Sequence, residues 1–395
     1  MQVTGALPKS LTTFIGRSQE LDDLRSLFRD GKRLVTLVGI GGIGKTRLAL
    51  ELSASDLGWA NVYLAELASL TPDMVGNAVL ESVGAASSRS PLEAAAEHLR
   101  DTAALLVLDC CEHVLDAVRQ VAGVLLRGCP SVAILATSRS PIQVAGELVW
   151  AVPALSVQTH GDAGASDAAR LFADRASYAR SRFELGEGTA EAVETIVRRV
   201  DGIPLAIELA AARVRVLSPE EIADGLDDYL RLLRGGPRAD PRHQTIRGSL
   251  DWSHDLLTDS ERQLFARLSI FSGNFDLEAA AAVCAGDTVV RDRVLDEVEG
   301  LVDKSLLSVE RREGATRFRM LDFVRQYAAE RLVAAGEDDL LADRHRAYFR
   351  ALADRADREA WAWSRPAAPA STMKHPTCGR PSTTDVIAPR TMPWP

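Results

Sequence analysis

The sequence predicts an α/β domain built on a parallel sheet, followed by an all-α helical domain and a winged-helix domain. Three observations carry this prediction. Short apolar runs alternate with helical segments over residues 31–158, which indicates a parallel sheet covered on both faces. Residues 159–245 are patterned as helix throughout. Residues 246–335 combine helices with a terminal pair of short strands, which is typical of a winged helix.

The first part of the chain is predicted to contain a lead-in segment and the parallel sheet. Residues 1–30 are predicted to form a lead-in and one helix, in which Leu21, Leu24 and Phe28 recur at helical spacing. Five strands then follow from short runs rich in β-branched and apolar residues. They are predicted at Leu34–Val38, Asn61–Leu64, Leu105–Asp109, Val132–Thr137 and Leu148–Val152.

The later domains are predicted from helical patterning and one hairpin signal. An Ala-rich helix is expected over Pro204–Val216, and a hairpin is expected from Ser305–Glu310 and Thr316–Met320, joined at Glu313-Gly314. The core of the third domain is expected to contain aromatic residues, namely Trp252, Phe265, Phe271 and Phe275. A helical extension should cover residues 336–363.

Residues 364–395 are rich in proline and show no periodicity, so we expect them to be disordered. Two interpretations of this tail stay open: a native disordered segment, and a foreign or out-of-frame end on a truncated chain.

Composition restricts the function classes. The 395 residues are 46% hydrophobic and 26% charged, as in an ordinary globular protein. The net charge of −9 does not suit nucleic acid, although it leaves a local basic face open. No apolar run approaches the ~18 to 20 residues of a membrane span, and no signal peptide precedes the first helix. Five irregularly spaced cysteines favour a reducing cytoplasm, with Cys110-Cys111 interpreted as packing residues.

Residues 39–46 match the phosphate-binding pattern G-x-x-x-x-G-K-[ST] at every fixed position. Glycine allows close approach of the backbone to phosphate oxygens, and the following helix presents its positive end to the anion. The pattern lies between a predicted strand and a predicted helix, as its function requires, so a glycine-rich turn that binds nothing is the poorer interpretation. We predict that the nucleotide contacts come from Gly39, Gly41, Gly42, Ile43, Gly44, Lys45, Thr46 and Arg47.

The catalytic and metal-binding candidates are Lys45, Asp109 and Arg139, with Thr46. Lys45 is expected to bridge the β- and γ-phosphates of ATP. Thr46 and Asp109 are expected to hold Mg²⁺, since Asp109 ends an apolar strand downstream of the phosphate loop. Arg139 ends another strand, from which it could reach the γ-phosphate; an ordinary loop arginine is the alternative.

No glutamate follows Asp109 directly, where many hydrolytic proteins with such a phosphate loop carry the base that activates water. The first carboxylate after it, Glu112, could serve, but its register differs from the usual geometry. We therefore expect slow ATP hydrolysis.

Several motifs in this order resemble STAND-class P-loop ATPases, and among them the NB-ARC-like module of bacterial, especially actinobacterial LuxR/SARP-type, transcriptional regulators. They are Phe14-Ile15-Gly16-Arg17-x-x-Glu20, Gly39–Thr46, Leu105–Asp109, Thr137-Ser138-Arg139, Asp201–Ala206 and Arg242–Arg247. The resemblance implies the strand order 5-1-4-3-2 and three domains folded over ADP or ATP. It places Arg17 near the adenine, Pro204 against the nucleotide, and Arg139 as the γ-phosphate sensor.

Such proteins are switches, in which ADP holds a closed state and ATP favours an open one that assembles or exposes an effector. Two positions depart from the family pattern. Met320-Leu321-Asp322 stands where eukaryotic members carry Met-His-Asp, and Cys110 stands where relatives carry Asp or Asn. The resemblance also leads us to expect only the switch core here, without an N-terminal effector domain or a C-terminal helical-repeat sensor.

The leading prediction is therefore a cytoplasmic ATP/ADP-binding regulatory switch that acts in signal transduction or transcription regulation, with other protein domains or self-association as partners and no membrane. Direct DNA binding through the winged helix is an alternative, because Arg311, Arg312, Arg317, Arg319 and Arg325 cluster there. Interleaved acidic residues make a solvated charged face the competing interpretation of that cluster. A plain ATP hydrolase is the third candidate.

Overall fold

A computed structural model describes residues 8, 11–55, 58–86, 90–157, 165–181, 183–186, 188–226, 246–286, 289–312 and 315–364. The chain divides into two compact units, Met1–Tyr348 and Phe349–Pro395. The predictions for residues 365–395, for 158–164 and 227–245 of the helical domain, and for the Glu313-Gly314 turn lie outside the described residues.

A five-stranded sheet forms the first domain, and all its pairings are parallel. The strand order is β2-β3-β4-β1-β5, which confirms the predicted order read from the other edge. Each apolar run becomes a strand within two residues of its expected end. The strands are β1 Leu34–Val38, β2 Asn61–Glu66, β3 Ala104–Asp109, β4 Val132–Ser138 and β5 Leu148–Ala151.

Helices cover both faces of this sheet, so its strands alternate their side chains between two separate cores. Val35, Leu37 and Val107 belong to one core, while Leu34 and Leu106 belong to the other. The first core continues without a break into the helical and winged-helix domains. The helices that follow or precede the strands are α1 Ser18–Arg29, α2 Lys45–Ser53, α3 Val75–Ser82, α4 Pro91–Leu99 and α5 Leu115–Gly128.

Described residues 165–226 are largely helical, and several of their helices begin at a clear capping signal. Ser218 forms a capping box with Glu221, and Pro204 occupies the first turn of its helix. The Ala-rich segment is an α-helix followed by a 3-10 turn at Ala212–Arg215. The helices are α6 Asp167–Ala179, α7 Ala190–Arg199, α8 Pro204–Ala211 and α9 Pro219–Gly225.

The winged helix has its hairpin at β6 Ser308–Arg312 and β7 Ala315–Arg319, so its first strand begins three residues later than predicted. The reason is a turn through Ser305, whose φ of 56° is incompatible with an extended strand at that point. Its helices are α10 Ile246–Asp255, α11 Asp259–Leu268, α12 Leu277–Cys284, α13 Val294–Asp303 and α14 Asp322–Ala335, and α15 Asp338–Ser364 follows.

The prediction that Trp252 belongs to the core of this domain is wrong. Its ring is half-buried and lies against Arg139 and His113 of the first domain. The predicted core positions of Phe265, Phe271 and Phe275 are confirmed by their burial. Every helix in the described part of the chain is too short or too polar to cross a membrane.

Candidate functional site

The phosphate loop connects β1 to α2 and has the backbone that only glycine adopts without strain. Gly42 and Gly44 have φ angles of 84° and 96°. A Cβ on Gly42 would lie 2.8 Å from the Cβ of Leu205 in the helical domain. A Cβ on Gly41 would lie 1.8 Å from Ser249 Oγ in the winged-helix domain. These two glycines therefore accommodate the other two domains as well as the turn itself.

Lys45 folds back over its own loop. Its Nζ donates to the carbonyl oxygens of Gly39 at 2.6 Å and Ile40 at 3.0 Å. Burial of the ammonium lowers the pKa of Lys45 to about 8, and the negative charge of Glu112 acts in the opposite direction. This cation lies where the positive end of α2 and the loop converge, as an anion site requires.

Thr46 and Asp109 meet beside the loop. Thr46 Oγ1 donates to Asp109 Oδ1 at 2.7 Å, and Thr137 Oγ1 donates to the same oxygen at 2.6 Å. A hydroxyl and one carboxylate fit Mg²⁺, which keeps several waters and shares phosphate oxygens rather than needing a cage of protein ligands. The described residues accordingly contain no cluster of three or more His, Cys, Asp or Glu side chains suited to a metal.

A cavity of about 210 Å³ opens beside the loop between the first and helical domains. Arg17, Gly44, Arg47 and Pro204 line it together with Phe14. The guanidinium of Arg47 lies 5.6 Å from the centre of the Phe14 ring, and the two form a flat apolar and cationic wall. Such a wall is suited to a planar aromatic ligand.

Arg17 is the buried cation of this cavity. Its Nη2 donates to Ile43 O at 2.7 Å and to Pro153 O at 3.0 Å, which fixes the guanidinium against the loop. Its Nη1 is buried and has no hydrogen-bond acceptor among the described residues. Burial also lowers the pKa of Arg17. Because a buried donor without an acceptor is costly, this atom fits a ligand oxygen or nitrogen.

The helical domain reaches the loop through the Gly-Ile-Pro-Leu segment. The amide of Leu205 donates to Gly42 O at 3.2 Å, and Pro204 lies at the first turn of α8 beside the cavity. Asp201, two residues before Ile203, joins the same domain to the winged helix. Its carboxylate accepts from Arg319 Nη2 at 2.8 Å and from the amide of Asp322 at 2.9 Å.

Arg139 lies at the end of β4 and is held by the winged helix. Its Nη1 donates to Ser249 O at 2.8 Å and to Ser253 Oγ, and its Nη2 donates to Ser249 Oγ at 3.3 Å. The guanidinium also lies 5.5 Å from the Trp252 ring centre and 3.1 Å, through Nε, from Glu112 Oε1. A buried arginine with this many acceptors fixes the position of α10.

The structure thus brings the loop, Thr46, Asp109 and Arg139 together, with Arg17, Arg47 and Pro204 around the adjoining cavity. Sequence reasoning missed the acceptors of Arg139 on α10 and the role of Asp201. Ser249 and Ser253 are four residues apart on one helix face, so the spacing was visible. That they would bond to Arg139, more than 100 residues away in sequence, could not be predicted from this spacing.

A family model described as "Winged helix-turn-helix domain" matches residues 257–333. The chain is 48% identical over 325 residues to "Putative HTH-type transcriptional regulator Rv0890c" of Mycobacterium tuberculosis, a match that covers 81% of this chain and 36% of the relative. The chain therefore spans about a third of that relative's length. It is 43% identical over 350 residues to "Uncharacterized protein Rv0894" of the same organism, covering 87% of each.

More distant relatives include "Regulatory protein AfsR" of Streptomyces coelicolor, 29% identical over 355 residues, with 82% of this chain and 32% of the relative covered. Among solved structures, the chain is similar to a STAND protein with a tetratricopeptide repeat sensor from Pyrococcus horikoshii. That match has 17% identity and a TM-score of 0.36, and it covers 86% of this chain and 46% of the other.

Proposed function

Because this chain belongs to the family of the mycobacterial protein Rv0894, whose wider relatives are named as transcriptional regulators, we propose that it is an ATP/ADP-binding switch acting in transcription regulation. The nucleotide would lie on the phosphate loop with its base in the adjoining cavity. Mg²⁺ would neutralise phosphate charge when bound. The state of the nucleotide would decide whether the winged helix stays on the loop.

The observation that carries this proposal is the contact between Thr46 Oγ1 and Asp109 Oδ1 at 2.7 Å beside a loop with the phosphate-binding pattern. These two groups come from positions 63 residues apart, yet they meet beside the loop, where together they would hold Mg²⁺ and let it neutralise phosphate charge. A glycine turn that served only as a connection would not require a hydroxyl and a carboxylate at that point.

A switch, rather than a simple binding module, is supported by the two other domains that cover the loop. Leu205 of the helical domain bonds to Gly42, and Ser249 of the winged helix lies against Gly41. A ligand that fits the loop differently in its two states can bias this arrangement, because it then has different affinity for the closed and open forms.

The experiment that tests the proposal is to identify nucleotide released from purified protein and to measure binding of ATP and ADP with Mg²⁺. We expect about one ADP or ATP per chain in the wild type and none in Lys45→Ala. Lys32→Ala, which changes an exposed lysine, is the matched control and should bind like the wild type. A wild-type protein that binds neither nucleotide would contradict the proposal.

Hydrolysis should be slow. Cys110 directly follows Asp109, and the first carboxylate beyond it, Glu112, is bonded to Arg139 rather than open to a water beside the loop. We expect a turnover below ~1 per second, at the low end of ordinary enzymes. A phosphate-release assay on purified protein that gave faster turnover would refute this expectation and favour a plain ATP hydrolase.

Direct DNA binding through the winged helix is a second candidate, favoured by the family match at 257–333 and by the relatives' names. The charges on the helix-turn-helix argue against DNA binding. The helix Val294–Asp303 of the helix-turn-helix carries Asp296, Glu297, Glu299 and Asp303 and no basic residue. A surface that neutralises phosphates requires the opposite sign.

The basic residues of the hairpin are also partly engaged. Arg317 lies 2.5 Å from Asp276, and Arg319 lies 2.8 Å from Asp201. We therefore propose that this winged helix contacts protein domains and that DNA contact, where the longer relatives make it, comes from elsewhere. Electrophoretic mobility shift with random duplex at low salt tests this, and a salt-dependent shift would restore the DNA-binding candidate.

A further inference from the structure

Glu112 lies where the phosphate loop, strand β4 and helix α10 meet. Its Oε1 is 3.1 Å from Arg139 Nε, and the two side chains are 6% and 5% exposed. Its Oε2 is buried, and no described residue donates to it. A buried carboxylate with one ionic contact depends on that contact, because an unpaired buried charge is strongly unfavourable. Arg139 is thus the group that keeps Glu112 in place.

This ion pair lies at the phosphate end of the site. Arg139 Nη2 is 3.1 Å from where a Cβ on Gly41 would be, so the guanidinium touches the loop. The charges of Glu112, Arg139 and Asp109 all act on Lys45. Two cations and two carboxylates therefore face one another where the last phosphate of a nucleotide would arrive.

We propose that Glu112 sets the preference between ADP and ATP. Its carboxylate would bind Arg139 in place of the γ-phosphate. This inference rests on the proposed nucleotide switch. A γ-phosphate brings further negative charge and competes with the Glu112 carboxylate for the same guanidinium. ADP lacks that group and leaves the ion pair intact. The difference in affinity between the two nucleotides therefore contains the free energy needed to displace Glu112.

The competition extends to the winged helix through the same guanidinium. Arg139 Nη1 donates to Ser249 O and Ser253 Oγ, so turning Arg139 towards a γ-phosphate breaks the hydrogen bonds that hold α10. The coupling is reciprocal: the free energy by which α10 bound at the loop weakens ATP binding equals the free energy by which ATP weakens the binding of α10. Glu112 and the two serines act in the same direction, in favour of ADP.

Glu112→Gln in the full chain tests the proposal. The amide keeps the shape and one acceptor oxygen for Arg139 Nε but loses the charge, so it competes less with a phosphate. In competition binding with Mg²⁺ we expect ATP affinity to rise about tenfold, within the usual range of coupling between sites. ADP affinity should change by less than about twofold, because the charge-dependent competition is absent.

A second readout does not depend on affinity. Hydrogen exchange in residues 246–255 should rise on addition of ATP to the variant and should stay low with ADP. Ser253→Ala removes a bond on the other side of the guanidinium and should shift the ratio in the same direction. It also covers the case in which Glu112→Gln does not fold.

Glu337→Gln is the matched control, since Glu337, just after the winged-helix domain, forms an ion pair with Arg267 at 2.7 Å. It should leave both affinities unchanged. Equal shifts for ATP and ADP in Glu112→Gln, or weaker ATP binding, would overturn the role of Glu112. Loss of hydrolysis at an unchanged affinity ratio would instead make Glu112 the base that activates water. A wild-type chain that binds neither nucleotide would overturn the switch itself, an outcome distinct from binding with an unaltered ratio.

Discussion

Replacing Asp201 should release the winged helix from the helical domain, and the free-energy cost can be divided among its two contacts and its backbone conformation. Asp201 is buried, with 7% of its side chain exposed, and it accepts from Arg319 Nη2 and from the Asp322 amide. Arg319 is 40% exposed, so solvent screens the ion pair and we assign it at most ~1 kcal/mol. Leaving the Asp322 amide without an acceptor should cost about 1–2 kcal/mol.

Backbone conformation adds a third contribution at this position. Asp201 has a φ of 50°, which aspartate and asparagine tolerate better than alanine, by about 1 kcal/mol. Asp201→Ala should therefore lower the free energy of unfolding by about 3 kcal/mol, as the sum of these three effects. Asp201→Asn keeps the backbone conformation and an acceptor oxygen for Asp322, so it should cost less than about 1 kcal/mol.

Urea unfolding followed by circular dichroism measures both changes. Arg317→Ala, which breaks an ion pair whose side chains are both about 40% exposed, should cost no more than ~0.5 kcal/mol and serves as the control. Equal losses for the alanine and asparagine variants would show that the ion pair, not the bond to the Asp322 amide, joins the domains, and would refute this reasoning.

Three further predictions follow from the loop and its neighbours. Gly41→Ala should raise hydrogen exchange in residues 246–255, because its Cβ would lie 1.8 Å from Ser249 Oγ, and adding Ser249→Ala should restore protection. Lys45→Met should raise the melting temperature of nucleotide-free protein at pH 7. In the folded protein the pKa of Lys45 is about 8, below its ordinary value of 10.5. The buried charge therefore destabilises the protein fully below pH 8, and this cost disappears as the pH rises to 10.5. An equal gain in melting temperature at pH 7 and pH 10.5 would contradict this. Cys110 should react with iodoacetamide at pH 8 more slowly than free cysteine, because burial and Asp109 raise its thiol pKa, and mass spectrometry of the labelled peptide measures the rate.

The sheet and the phosphate loop could be predicted because their signals are local. A short apolar run of four to seven residues specifies a strand, and Gly39–Thr46 specifies a turn with positive φ angles between strand and helix. The positions of Thr46 and Asp109 also follow, since parallel strands bring their carboxyl ends to one edge of the sheet.

Contacts between domains could not be predicted, because tertiary packing decides them. Trp252 has the apolar character of a core residue, yet its ring lies against Arg139. Periodicity cannot distinguish a helix face that packs inside its own domain from one that packs on a neighbour. For the same reason, nothing in the sequence showed that Glu112 and α10 would share the Arg139 guanidinium.

Gly41 and Gly42 lie beneath two separate domains, and this arrangement bears on rates. A nucleotide on the loop could leave only after Ser249 or Leu205 moves away from those glycines. Its dissociation rate would then report how often the domains part, not how strongly the phosphates are held. The affinity for the nucleotide and its dissociation rate could then be changed independently. A partner that moves the winged helix away from the loop would act as an exchange factor without contacting the nucleotide.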